Sequence, residues 1–99
     1  MADIKKLKYE LMVLIPNNLA ETERTGLEAK IVQLLENNGG SLIEIESMGE
    51  RDLAYPINEQ KRGIYTVYKF ENYSYNILEI KKELSRIKQI LRYLLIKQK

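Results

Sequence analysis

Apolar and polar residues along this 99-residue chain alternate with two different periods, and the changes of period mark the elements. Residues 7–15, LKYELMVLI, form an apolar run that stops at Pro16, which predicts a first strand, with Asn17 and Asn18 supplying turn and cap chemistry. Leu27, Ile31, Leu34 and Leu35 then recur at helical spacing and end at Asn37-Asn38-Gly39-Gly40, a helix stop. Two starts fit this helix, since Asn18 with Glu21 and Thr25 with Glu28 both have the spacing of a cap and its acid. In SLIEIESM, residues 41–48, Ile43 and Ile45 alternate with Glu44 and Glu46, the mark of a second strand with one wet face. Gly63 leads into IYTVYKF, a third strand expected to pair with the second as a hairpin. Ser74 is placed to cap a second helix striped by Ile77, Ile80, Leu84 and Ile87, and residues 90–97, ILRYLLIK, form a fourth strand.

The resulting order is βαββαβ. With right-handed crossovers it predicts an α+β, ferredoxin-like fold: a four-stranded antiparallel sheet, the first and third strands central, with two helices on one face. One domain over residues 1–99 is expected from the length. Between the second and third strands lies RDLAYPI, residues 51–57, where Pro56 cannot donate to a sheet ladder. This segment reads as a shaped protrusion.

Helices on one face leave the other face to be polar if the domain works alone. Here it is not polar. Leu11, Val13 and Ile15 point one way in the first strand while Met12 and Leu14 point the other, and in the last strand Leu91, Tyr93 and Leu95 oppose Leu94 and Ile96. A second cover is therefore expected, either a protein partner, stacked bases, or the chain's own loops and lysine stems.

Charge sharpens this picture. The formal net charge is only +2, yet residues 10–60 hold three basic against ten acidic side chains, and residues 61–99 hold ten basic against three acidic. Antiparallel pairing brings Lys5, Lys6 and Lys8 toward Lys69, Lys97 and Lys99 at one end of the sheet, and the hairpin carries Arg51, Lys61 and Arg62 to the opposite end. Ammonium groups gathered in this way are favoured beside phosphate, and a ligand that reaches both ends must be long or folded, as structured RNA is.

Catalytic chemistry finds little support. The chain has no histidine and no cysteine, which removes the commonest general base, the thiol nucleophile and most transition-metal sites; no cofactor or metal is expected. Glu44 and Glu46 share a strand face without a third group and read as a solvated edge; Gly39-Gly40 follows a helix instead of opening one. Small acylphosphatases share the element order, but their glycine-bracketed phosphate loop has no counterpart in IPNNLAE. The RNA-recognition motif shares it too, but its third-strand aromatics are replaced by Ile64 and Thr66. No segment approaches the roughly 18 apolar residues of a membrane span, so no membrane partner is expected. The start, MADIKKLKYE, lacks a secretory apolar stretch, and the chain is expected to begin at or near Met1; the absence of cysteine fits the cytosol or the inside of an organelle.

Taken together, YELMVLIPNNL, the stop NNGG, GERDLAYPI, the short spacer to RGIY and the terminal ILRYLLIK resemble the bacterial-type ribosomal protein six family of the small subunit over nearly the whole chain. The resemblance implies a non-enzymatic constituent of the small ribosomal subunit, cytoplasmic or organellar, that binds the central domain of small-subunit ribosomal RNA together with ribosomal protein eighteen. It implies RNA contacts from Arg51, at the family's basic position before the motif, and from Arg92, where the family's last strand carries an arginine; Lys5, Lys6, Lys8, Lys61, Arg62, Lys69 and Lys97 complete the expected set. Tyr55, Pro56 and Tyr93 are expected on the partner-protein side. Two departures from the family are expected to matter: Asp52 occupies a position usually basic there, and with the sequence ending at Lys99 the acidic or polar tail of many relatives is expected to be absent. The competing reading is a free-standing interaction or regulatory module on the same fold.

Overall fold

The computed structural model describes residues 5–57 and 59–98. Strand β1 (Leu7–Pro16) leads to helix α1 (Glu21–Asn37), strands β2 (Ser41–Ile57) and β3 (Gln60–Asn72), a 3-10 turn (Ser74–Asn76), helix α2 (Ile77–Ser85) and strand β4 (Arg92–Lys97). The sheet order is β2-β3-β1-β4, and each neighbouring pair is antiparallel. This is the expected ferredoxin-like arrangement, with β1 and β3 central.

The pleat of β1 decides which side is core. Tyr9, Leu11, Val13 and Ile15 point to the helices and are buried, joined there by Tyr68 and Phe70 of β3. From α1 come Leu27, Ile31, Leu34 and Leu35, the four positions the helical spacing predicted, and from α2 Ile80 and Leu84, with Ile87 just beyond it. Tyr9 and Phe70, opposite each other in the register, stack at 5.6 Å between ring centroids.

Neither expected cap opens α1. Its N-cap is Ala20, which makes no side-chain bond, and the Thr25 hydroxyl instead donates back to the Glu21 carbonyl at 2.9 Å. Glu21 and Glu23 in the first turn lie at the positive end of the helix dipole, which favours their negative charge. The stop is as expected: Gly39 takes a φ of +83°, and the Gly40 amide returns to the Leu35 carbonyl at 2.8 Å.

Ser74 likewise does not cap an α-helix; it begins the 3-10 turn, and α2 starts three residues later. A buried asparagine does the anchoring. The Asn72 side-chain oxygen accepts from the Tyr73 amide (2.6 Å) and the Asn76 side chain (2.8 Å), while its nitrogen donates to the Asn38 carbonyl (3.0 Å). Asn38 in turn donates to Leu34 and to Glu83 of α2. The end of α1 and the start of α2 are thereby tied to the end of β3.

The largest departure from the sequence reading is the hairpin. The second strand does not stop at Met48: ladder pairing continues through Glu50↔Ile64, Arg51↔Gly63 and Asp52↔Arg62, with Ile57↔Gln60 closing the turn. Register shifts fall between Leu42 and Glu44, between Ser47 and Gly49, and between Asp52 and Ile57. Gly49, with φ +78°, sits at the second of them. Pro56 lies within the third, where no ladder donor is required of it. At the other boundary, β4 begins at Arg92 instead of residue 90.

Candidate RNA and partner interface

Residues paired directly across antiparallel strands point to the same face, so the register defines the side of the sheet away from the helices. One row holds Ser41, Glu71 and Lys8; the next holds Glu44, Lys69, Glu10 and Ile96; the next Glu46, Val67, Met12 and Leu94; then Tyr65, Leu14 and Arg92, and beyond them Arg51, Gly63 and Pro16. Acidic side chains thus line the β2 edge, and aliphatic ones the β4 edge. Leu94 is 56% exposed and Ile96 45%, beside a half-buried Met12. Met12, Leu94 and Ile96 are absent from the partner residues expected by sequence, although the two-sided apolar pattern of the first and last strands was their signal.

Part of this face is covered by the chain itself. Leu14 and Val67 are buried, at 2% and 7% exposure, and Leu14 lies over Gly63, where any Cβ would collide with it. The β2–β3 hairpin leans across the sheet end: the Arg92 guanidinium sits 5.1 Å from the Tyr55 ring centroid, over a hollow of about 310 Å³ whose floor includes Tyr65. A second hollow of about 320 Å³ opens between Met12, Tyr65, Arg92 and Leu94. Self-covering by a loop therefore accounts for the Leu14 end of the face, and the Leu94–Ile96 end stays open.

The expected cations separate into groups. Lys5, Lys6 and Lys8 are exposed at the end where β1 begins, and Lys97 is exposed beside them, held by the Gln98 amide on the Lys8 carbonyl at 2.8 Å. Lys97 pairs with Tyr9 and so lies on the helix side, whereas Lys8 and Lys69 lie on the open side. Lys69 is drawn to Glu44 at 3.7 Å. Lys99 lies outside the described residues. At the far end Arg51 and Lys61 are exposed, with Arg51 donating to the Glu50 carbonyl at 3.1 Å. Arg62 is held between Glu50 at 3.3 Å and Asp52 at 2.9 Å, so the acidic departure at position 52 finds its partner inside the hairpin. Such exposed pairs stabilise by about 0–1 kcal/mol, little enough for a phosphate to compete with them.

Of the three residues expected on the partner side, Tyr55 is half exposed above Arg92 and Pro56 is exposed near the hairpin tip. Tyr93 is elsewhere. It pairs with Val13, packs against the core on the helix side, and its hydroxyl donates to the Lys81 carbonyl of α2 at 3.3 Å. Among the described residues no group of three or more acidic side chains is placed to hold a metal, and no helix is long and apolar enough to cross a membrane.

Comparison with known proteins agrees with this geometry. The sequence profile described as Ribosomal protein S6 matches residues 8–97. The small ribosomal subunit protein bS6 of Fusobacterium nucleatum is 35% identical over 91 residues, covering 92% of this chain and 97% of that protein. The protein of the same name from Geobacter metallireducens is 36% identical over 90 residues, covering 91% and 76%. The crystal structure of 30S ribosomal protein S6 from Thermotoga maritima superposes with a TM-score of 0.88 at 29% identity, covering 95% of this chain and 89% of that one. The element order, the sheet and the extent of these matches lead to one conclusion: the chain belongs to the Ribosomal protein S6 family, structural and non-enzymatic proteins of the small ribosomal subunit.

Proposed function

We propose that this chain binds the central domain of small-subunit ribosomal RNA in cooperation with a second small-subunit protein, ribosomal protein eighteen. The observation that carries the reading is the unfinished open face, where Leu94 and Ile96 remain 56% and 45% exposed between two cationic ends of the sheet. An aliphatic strip of this kind fits a protein partner, and Glu10 beside Ile96, with Glu44 and Glu46 across the same face on β2, favours a basic one. The cations at the ends suit phosphate.

The net charge explains why two proteins are needed. At a net charge of +2, the chain alone displaces few counterions from RNA. A basic partner docked on the open face adds its own cations to the same surface, so the RNA affinity of the pair exceeds that of either member, and RNA in turn tightens the pair. A filter-binding titration at fixed salt checks this. The isolated chain is expected to bind the RNA fragment weakly and the mixture with its partner at least tenfold more tightly; equal affinities would overturn the coupling.

A further inference from the structure

Beyond the Leu94–Ile96 strip, aromatic side chains gather at the end of the sheet where β1 begins. Across the 3-10 turn, Tyr73 and Tyr75 stack with centroids 5.3 Å apart and planes within 11°. The Lys6 ammonium lies over the Tyr73 ring at 5.8 Å and is steadied by the Ser41 hydroxyl at 3.3 Å. Tyr75 itself is 66% exposed, and Leu78, one helical turn on, is 65% exposed. Two nearly parallel rings held by a cation and a tight turn thus end in a flat aromatic surface that faces water. Lys5, Lys8 and Lys97 lie at the same end of the molecule; Glu71 and Glu79 are the carboxylates nearest in the sequence to this turn.

We propose that the Lys6–Tyr73–Tyr75 stack is a platform for one unpaired base of a single-stranded RNA segment, with the neighbouring lysines holding its phosphates. The proposal rests on the RNA-binding reading above and names the chemical form of RNA taken at this end. A base has a π-face that stacks on tyrosine whatever its identity, and it carries a phosphate on either side; a duplex offers no such free face except at its ends. The aliphatic Leu94–Ile96 strip lacks flat rings and suits a protein side chain better, so the two surfaces accept different partners.

The chain contains no tryptophan, so Tyr75→Trp creates a single emission reporter at the platform. Titration with a single-stranded oligoadenylate is expected to quench this emission, and a duplex of equal length to leave it nearly unchanged. In filter binding, Tyr75→Ala is expected to weaken the oligoadenylate by roughly tenfold and Tyr75→Phe to preserve binding, since stacking needs the ring and not the hydroxyl. If RNA is retained on the filter while the reporter stays silent and Tyr75→Ala binds normally, the platform is refuted and the RNA-binding reading stands. Emission that responds to the protein partner without RNA also refutes it. Failure of the unsubstituted chain to retain RNA, alone or with its partner, removes the reading on which the platform rests.

Discussion

Tyr68 is 1% exposed in the core, and burial pushes its hydroxyl above the ordinary tyrosine range, with the Glu28 carboxylate adding to the effect. The neutral phenol is therefore the form the fold accepts. An acid whose folded value is raised contributes stability that is complete below its unfolded value, near 10, and is lost as the pH climbs above it. Urea denaturation is accordingly expected to show the native chain losing stability above about pH 10, and Tyr68→Phe losing less over the same interval. Sequence placed Tyr68 within a strand but could not place it in the core, because YTVYK puts aromatics on both faces: Tyr65 falls on the open side and Tyr68 under the helices. Asn72 was equally illegible. An asparagine at a strand end usually signals a turn, and only the fold reveals three hydrogen bonds converging on it at 0% exposure.

At the scale of elements, those bonds join the end of α1 to the start of α2. Replacing Asn72 with alanine leaves the Asn38 carbonyl, the Tyr73 amide and the Asn76 side chain without their partner, and a loss of about 2–3 kcal/mol is expected in equilibrium urea denaturation. The two helices were legible as apolar stripes because 3.6-residue periodicity survives local exceptions. Their starts were not, since Ala20 and Asn76 make no capping side-chain bonds to their helices and the carboxylates of Glu21 and Glu79 serve the dipole instead. The long hairpin escaped for a related reason. Register shifts at three places break the period-2 alternation of β2, so a strand of 17 residues looks in sequence like one of about half that length followed by a loop.

For the whole molecule, the cations at the β1 start and the aliphatic strip on β4 can be tested separately. Replacing Lys5, Lys6 and Lys8 together with glutamine is expected to flatten the salt dependence of RNA binding by up to about three counterions, near 0.9 for each duplex phosphate contact. Plots of log affinity against log salt measure that slope, and an unchanged slope removes these lysines from the footprint. Leu94→Glu acts on the other surface. Because Leu94 is 56% exposed, its folding stability is expected to change by no more than about 0.5 kcal/mol, while calorimetric titration with the partner protein shows at least a tenfold loss. The charge segregation and two-sided strands made both surfaces legible in outline; the lean of the hairpin onto Arg92 was not, since it depends on how far the strands continue past the sheet end.

On the outer strand β2, Ile43, Ile45 and Met48 are exposed along an open edge, which would ordinarily invite edge-to-edge pairing. Here three register shifts kink the ladder and remove the straight template. The irregular edge is therefore a poor template for a second copy of the chain, and straightening it is expected to raise light scattering of the concentrated protein.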